Sequence, residues 1–231
     1  MNDDKSKSLL AEIQRQQALL QSRLDAEQHT LSQLAKRLWA QQESEKASLS
    51  RELHDGVGQL LTGLTRRLQT LSADQPELQE LVQLAEMALA DVRQLSRLMS
   101  PTILDDLGLV PAIKWLCRSL FEHENTQYEC QFDCTIALPK DISILIFRIL
   151  QEALVNIIKH AQASQTKVLL SSHHQTVRLD IIDNGCGFEH NSIEQGIGLN
   201  SMQDRARAFS ADFTINSKQN KGTRITLTVA V

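Results

Sequence analysis

The stretch Ile149–Ala161, which reads ILQEALVNIIKHA, carries one polar stripe on an otherwise apolar helix. Glu152, Asn156, Lys159 and His160 stand at spacings that place them on a single helical face. A stripe of this kind is usually a solvated face. Asparagine is a poor helix former, however, and a carboxylate, an amide, an ammonium and an imidazole together suit a Mg²⁺–triphosphate. The stretch therefore predicts a nucleotide-phosphate site.

Two glycine-rich loops follow this helix. Asp183 ends an apolar run and opens the sequence DNGCGF, in which Gly185 and Gly187 permit a tight turn and close approach of the backbone. Gly196 and Gly198 then open a helix whose N–H groups can hold phosphate. Either loop alone is a weak signal. Their order after the polar helix makes the combination specific.

A third motif, RELHDGVGQ, places His54 one residue off an apolar seam, where a lone histidine is usually a surface residue. Gly56 and Gly58 lie in mid-helix, each at a cost of ~1 kcal/mol relative to alanine. A glycine at position 58 would leave the imidazole face open to a phosphoryl group, and close helix packing is the alternative. Asp55 can accept a hydrogen bond from one ring nitrogen, which leaves the other as a nucleophile. Gln59, four residues beyond Asp55, can orient a water.

The first half of the chain has the pattern of long amphipathic helices. A heptad seam predicts a parallel two-chain coiled coil over residues 1–43, although a lone amphipathic helix is the alternative. Apolar stripes on either side of a turn at 72–76 predict a helical hairpin over residues 44–100, and two copies would form a dimeric four-helix bundle. The seam positions are Leu10, Ile13, Gln17, Leu20, Leu24, Glu27, Leu31, Leu34 and Leu38.

The pattern changes after Pro101. Residues 101–126 read as a connecting segment with a short helix, and residues 127–231 read as strands and helices of one α+β domain, with helices covering one face of a mixed sheet. Cys130 and Cys134 alternate with apolar positions, which favours one face of a strand over a redox or metal role. The predicted fold class is therefore multi-domain, α followed by α+β.

Composition argues against several classes of function and location. The net charge of −4 over 231 residues argues against a nucleic-acid partner, because binding phosphates needs a basic surface. No apolar stretch approaches the ~20 residues that span a bilayer, and the N-terminus MNDDKSKS does not resemble a signal peptide. We expect a cytoplasmic location, either on its own or as the cytoplasmic part of a membrane sensor.

These motifs resemble those of a known family. QEALVNIIKHA is similar to the N box of the Bergerat-fold ATPases, DNGCGF to their G1 box, and GIGLNSMQDRARAF to their G2 box. RELHDGVGQLL resembles the HDxxxQ phosphoacceptor motif, and SPTILDDLGLVPAI resembles the segment that follows it. This order is that of the nitrate-sensor-like two-component histidine kinases, and the resemblance runs from about residue 46 to the C-terminus. It implies a Bergerat-fold α/β sandwich after the hairpin.

The resemblance also implies roles. His54 would accept the γ-phosphoryl of ATP, with Asp55 as base and Gln59 positioning water for phosphatase action. Asn156 would coordinate Mg²⁺ with Glu152 beside it, and Asp183 would bind the adenine amino group. The residues assigned to ATP are Glu152, Asn156, Lys159, His160, Asp183, Gly185, Gly187, Gly196, Gly198, Leu199 and Thr223.

The implied partners are a second copy of the chain and a response-regulator receiver domain, for which we expect a LuxR-type output. Two alternatives within the same fold stay open: a phosphatase-dominant enzyme and a non-enzymatic ATP-binding scaffold. An ATPase of the chaperone or DNA-repair kind is a third alternative. The HDxxxQ motif argues against it, because such an ATPase has no use for a phosphoacceptor histidine.

Overall fold

The computed structural model describes residues 2–72, 75–99, 102–189 and 197–231. Its first half is helical, as the stripes predict. Helix α1 is continuous across residue 43, so the predicted coiled-coil segment leads into the hairpin without a break. The helical elements are α1 (Asn2–Glu52), a π-helical segment (Leu53–Gly58), α2 (Gln59–Ser72), a 3-10 turn (Pro76–Leu78) and α3 (Gln79–Met99).

The second half contains a five-stranded sheet in the order β1-β2-β3-β5-β4. Strands β1 and β2 run parallel and the other neighbours run antiparallel, so the mixed sheet is confirmed. The short helix expected after Pro101 is two helices, because Gly108 interrupts it. The elements are α4 (Thr102–Leu107), α5 (Leu109–Phe121), β1 (Gln127–Asp133), α6 (Lys140–Asn156), a π segment (Ile157–Ala161), β2 (Gln165–His173), β3 (Thr176–Asp183), α7 (Ile197–Ala208), β4 (Asp212–Ser217) and β5 (Thr223–Ala230).

One face of this sheet is buried under helix α6. Alternate residues of the central strands point inward, as the period of two in a strand requires. Ile146, Leu150 and Leu154 of α6 are fully buried in this core, together with Ile181 of β3 and Leu227 of β5. The domain therefore has its own hydrophobic core, and its helix with the polar stripe is held rigidly against the sheet.

The hairpin buries little apolar surface within one chain. Val82, Ala85 and Leu89 of α3 are buried, and the hydroxyl groups of Ser50 and Ser96 lie 2.8 Å apart across the base of the hairpin. Much of the apolar stripe on both helices remains exposed instead, and Leu60 is 76% exposed. Other exposed apolar residues of the hairpin are Val57, Leu64, Leu71, Leu81, Leu84, Met87 and Leu95.

Helix α1 also packs against the sheet domain. The ring of Trp39 meets the ring of Phe209 edge-on at a centroid distance of 5.0 Å, and Lys36 lies over the same Phe209 ring at 4.7 Å. Trp39 is only 9% exposed, although it belongs to a helix whose neighbouring residues are mostly exposed. This contact holds the end of α7 on the helix that leads to His54.

A buried ion pair reinforces that contact. Arg148 of α6 is 4% exposed, and its Nε and Nη2 donate to the Glu43 carboxylate of α1 at 2.6–3.1 Å. The same guanidinium donates to the backbone carbonyls of Leu98 and Met99, and Nη1 also donates to Gln151. Arg148 therefore joins α1, the end of α3 and α6 at one point.

Candidate functional site

Three polar residues form a row across one end of the sheet. Thr166 of β2, Asp183 of β3 and Thr223 of β5 are paired in register, and paired residues of neighbouring strands point to the same face. That face is the inner one, because the alternate residues that follow along each strand are buried. Asp183 is 6% exposed. The row thus places a carboxylate between two hydroxyl groups beneath α6.

Asp183 is held by backbone groups. Its Oδ1 accepts a hydrogen bond from the Gly185 N–H at 2.8 Å, and a backbone hydrogen bond with Thr223 supports it from the next strand. Burial raises the pKa of the Asp183 carboxyl, and these two hydrogen bonds oppose that rise in pKa. A buried carboxyl fixed in this way suits recognition of a flat, apolar ligand that carries an N–H donor.

Thr166 is the residue of this row that sequence reasoning missed. It is 1% exposed, and its hydroxyl has no hydrogen-bond partner within the part of the chain that the structure describes. A buried hydroxyl without a partner costs free energy, which a ligand or a water could recover. Thr166 and Asp183 are far apart in the chain, so only the register of β2 against β3 reveals their proximity.

The loop after Asp183 is pressed against two other backbone segments. The Cys186 N–H donates to the carbonyl of Ala161 at 2.8 Å, where the π segment ends. Gly187 has φ 57°, and a Cβ built there would overlap the backbone of Lys218 and Gly222. Glycine is therefore required at 187, because the backbones approach too closely for a side chain. Gly222, which the motif reading did not assign, also has positive φ and lies against the Asp183 carbonyl.

The polar stripe of α6 faces the start of α7. A Cβ on Gly198 would overlap the Glu152 carboxylate and would lie 3.6 Å from the Asn156 Nδ2. The structure therefore brings Glu152, Asn156 and Gly198 together, as the phosphate-site prediction requires. Leu199 is half-buried and packs on the hydrophobic core beside them. These three residues can offer a carboxylate, an amide and a helix N-terminus to a phosphate–metal group.

Lys159 and His160 lie on the π segment that continues α6. Both side chains are exposed, and the His160 carbonyl accepts a hydrogen bond from the Cys186 thiol at 3.3 Å. They therefore lie between the Asp183 loop and the Asn156 stripe, with charged groups free to reach a ligand. Gly196, assigned to the same site, lies outside the described residues.

His54 lies on the hairpin inside the π segment Leu53–Gly58. Its Nδ1 is 3.1 Å from the Asp55 Oδ1, and the two side chains are 63% and 68% exposed. If Nδ1 carries the proton, as donation to a carboxylate favours, Nε2 keeps its lone pair and faces solvent. π-helical turns are rare and recur at functional sites. This geometry fits a nucleophile oriented by its neighbour.

The space around Gly58 bears on the prediction that this glycine keeps the imidazole face open. A Cβ built on Gly58 would lie 3.7 Å from the carbonyl of Leu53, with no side-chain atom of His54 within 4 Å. The prediction assumed an ordinary α-helix, in which residue 58 leans over residue 54. Both residues lie in a π turn instead, and the His54 side chain is 63% exposed. A methyl group at position 58 would therefore not by itself cover the imidazole.

Gln59 and Asp55 border one groove on the hairpin, which Gly56, Leu60 and Gly63 also line. The Gln59 amide therefore lies on the same surface as Asp55, the neighbour of His54. Within the described part of the chain, no hydrogen bond or ion pair joins these residues to the groups around Asp183 and Asn156. The described residues thus form two separate polar groups: the exposed His54–Asp55 pair on the hairpin, and the residues around Asp183 and Asn156 on the sheet domain.

Comparison with known families matches both sites. The family model described as "Histidine kinase-, DNA gyrase B-, and HSP90-like ATPase" matches residues 141–231, which include the Asp183 row and the α6 stripe. The family model described as "Histidine kinase" matches residues 45–104, which include His54. The chain belongs to the sensor histidine kinases. The resemblance drawn from the five motifs is therefore confirmed.

Individual histidine kinases align along most of the chain. Sensor histidine kinase MctS of Rhizobium johnstonii is 35% identical over 85% of this chain and 45% of its own length. The histidine-protein kinase/phosphatase UhpB of Salmonella typhimurium is 35% identical over 95% of this chain and 45% of its own length. Oxygen sensor histidine kinase NreB of Staphylococcus carnosus is 30% identical over 95% of this chain and 63% of its own length. The chain spans about half the length of the curated relatives it matches.

The fold has a counterpart among solved structures. The histidine kinase domain of the blue-light-activated kinase EL346 from Erythrobacter litoralis superposes with a TM-score of 0.52, over 82% of this chain and 94% of that one, at 14% identity. This confirms the fold class, a helical region followed by a mixed-sheet ATPase domain. Within the described residues, no helix is both long enough and apolar enough to cross a membrane.

Proposed function

We propose that this chain transfers the γ-phosphoryl group of ATP to His54 and then to an aspartate of a response-regulator receiver domain. The observation that carries this proposal is the coexistence of two sites in one chain of this family. One is the buried Asp183 row beside Asn156, and the other is the exposed His54–Asp55 pair. A chaperone-like ATPase would need only the first site, and a scaffold would need no oriented imidazole.

The sheet domain offers groups that fit ATP. Asp183 would accept a hydrogen bond from the adenine amino group, and the hydroxyl of Thr166 supplies a further partner for the base or for a water beside it. Asn156 and Glu152 supply oxygen ligands suited to Mg²⁺. Since no cluster of three or more carboxylate, histidine or cysteine ligands occurs among the described residues, the ion would be held chiefly by phosphate oxygens and water, as Mg²⁺ commonly is. When bound, Mg²⁺ neutralises charge on the phosphates.

The hairpin supplies the nucleophile. Asp55 would hold the Nδ1 proton of His54, so that Nε2 attacks with its lone pair, and would stabilise the positive charge that develops on the ring. Because His54 has no described contact with the sheet domain, transfer requires the ATP-bearing domain to move onto the hairpin, a step common in phosphotransfer enzymes. We expect this within a homodimer, whose interface would cover the exposed leucines of the hairpin and of α1.

Phosphatase activity toward the regulator is a second proposal that one observation favours. Gln59 lies in the same groove as Asp55, where an uncharged amide could orient water toward a phosphoryl group on a bound receiver. A relative, DegS of Brevibacillus brevis, is named a kinase/phosphatase. We also propose a receiver of the LuxR-output class as partner and a cytoplasmic location for this chain.

Matched substitutions separate these roles. Asp55→Asn should lower the rate of autophosphorylation by about 100-fold or more, whereas Asp91→Asn, an exposed carboxylate elsewhere on the hairpin, should leave it unchanged. Gln59→Ala should keep autophosphorylation but lose dephosphorylation of a receiver that accepts label from the chain, with Gln83→Ala as control. Equal effects of each variant and its control would overturn the assigned roles.

A further inference from the structure

Two cysteines face each other where helix α5 packs on the edge strand β1. The Sγ atoms of Cys117 and Cys130 are 3.6 Å apart, which is sulfur–sulfur contact without a covalent bond. Cys117 is fully buried, whereas Cys130 is half-buried on a strand with a free edge. One thiol is thus within reach of solvent and the other lies directly behind it.

Flanking contacts hold this pair in place. One turn before Cys117, Lys114 lies over the Phe132 ring at 5.4 Å. One turn after it, the rings of Phe121 and Tyr128 are stacked at 5.5 Å. Helix α5 and strand β1 therefore run in opposite directions along this contact, with residue pairs 114 and 132, 117 and 130, and 121 and 128. Helix and strand are therefore fixed against each other on both sides of the two sulfur atoms.

We propose that Cys117 and Cys130 form a reversible redox pair, which peroxide converts into a disulfide that ties α5 to β1. The sulfur atoms must approach from 3.6 Å to about 2.05 Å to form the bond. This inference is independent of the phosphotransfer function proposed above, and it rests on a pairing that neither thiol's sequence position indicates.

The electrostatics assign the two thiols different roles. The hydrogen bond with Cys117 lowers the pKa of Cys130, and the Lys114 ammonium lowers it further, whereas burial opposes this effect. The same hydrogen bond and burial raise the pKa of Cys117. Cys130 is also the less buried residue of the two, so peroxide reaches it first: Cys130 is the attacking group, and the fully buried Cys117 is the resolving group.

The chemistry balances with one molecule of peroxide. The Cys130 thiolate attacks an oxygen of hydrogen peroxide, which forms an S–O bond, breaks the O–O bond and releases hydroxide. The Cys117 sulfur then attacks the sulfenic sulfur of Cys130, which forms the S–S bond and expels the oxygen as water with the Cys117 proton. The proton that Cys130 lost when it became a thiolate neutralises the hydroxide, so two thiols lose two electrons and two protons, and the peroxide is reduced to two waters.

Thiol counting in the full chain tests this proposal. The fully reduced chain has four titratable cysteines in denaturant. After hydrogen peroxide treatment at low protein concentration, two should remain, the intact mass should fall by two hydrogens, and peptide mapping should join the segments around positions 117 and 130. Dithiothreitol should restore all four thiols.

Substitutions decide whether the pair is responsible. Cys130→Ser and Cys117→Ala should each abolish the intramolecular disulfide. If the variant at the buried Cys117 folds poorly, the variant at the partly exposed Cys130 still provides the test. Cys134→Ser, a half-buried position just beyond the end of β1, should still form the bond. Four thiols after treatment, a bond between other cysteines, or loss of two thiols in Cys130→Ser would overturn the proposal.

Discussion

Breaking the buried ion pair between Glu43 and Arg148 should detach the sheet domain from helix α1. Glu43→Gln keeps the shape of the side chain but removes its charge, which leaves the 4%-exposed guanidinium without its counter-ion. Lys46 and Arg205 nearby are also basic: burial lowers the pKa of both groups, and the Arg148 charge lowers both pKa values further. Only one carbonyl oxygen of the new amide can still accept from Arg148.

The expected magnitude follows from this geometry. Removing one partner of a buried pair costs about 3–5 kcal/mol, since the other charge stays buried and uncompensated. At about 1.4 kcal/mol per tenfold, the ratio of attached to detached domain should fall by at least about 100-fold. The sheet domain has its own core, so we expect it to stay folded while its contact with α1 is lost.

Trp39 provides the assay, because it packs on Phe209 at this same contact. In a Trp115→Phe background, Glu43→Gln should shift the Trp39 emission to longer wavelength as the indole becomes exposed. Asp105→Asn is the control. It breaks the ion pair between Asp105 and Lys140, whose side chains are 50% and 67% exposed respectively, so it should lower the stability of the fold by under ~1 kcal/mol. An emission spectrum of Glu43→Gln that matches the control would refute the reasoning.

Three further predictions concern the sheet. Arg178, and then Thr226, hold the pKa of Asp180 below its usual range. The contribution of Asp180 to stability is therefore present above the ordinary aspartate pKa of about 4, and it is lost as pH falls through the lowered pKa. Asp180→Asn should therefore flatten the acid side of a melting-temperature–pH profile, and an unchanged slope would contradict this. The pKa of Asp183 is raised, so its contribution is present below the ordinary aspartate pKa and is lost as pH rises through the raised value. Asp183→Asn should remove this loss of stability at higher pH in melting scans without nucleotide. The same substitution should weaken ATP binding in titration calorimetry by about 1.4–4 kcal/mol, or 10- to 1000-fold. Thr166→Val removes a buried unpaired hydroxyl and should stabilise the nucleotide-free chain by about 1 kcal/mol in denaturant unfolding, whereas a destabilisation would mean that the hydroxyl is satisfied.

Local periodicity made part of this account predictable from the sequence. The spacing of Glu152 and Asn156 fixes their common helical face whatever surrounds the helix, and the structure places both beside Gly198. Alternation predicted that Cys130 and Cys134 would share one face of a strand; Cys130 does lie on β1, but the strand ends at Asp133, one residue before Cys134. These predictions depend on the geometry of one element, which short-range sequence determines.

Contacts between elements could not be predicted in this way. Glu43 and Arg148 are 105 positions apart, and Cys117 and Cys130 are joined only by the packing of a helix on a strand. Thr166 lies beside Asp183 because of the register of two strands. The π turn at Leu53–Gly58 also departs from the regular helix that the Gly58 interpretation assumed. Sequence spacing does not specify register, docking or local changes in helical winding.

Incubation with γ-labelled ATP and Mg²⁺ tests the central claim most directly. Wild-type chain should take up label that is labile in acid and stable in base, as a phosphohistidine is, and His54→Gln should take up none. Binding of ATP to both proteins, measured in parallel, ensures that the variant fails in transfer and not in nucleotide binding. Equal labelling of His54→Gln, or no label on wild type despite ATP binding, would contradict the assignment of His54 as the phosphoacceptor.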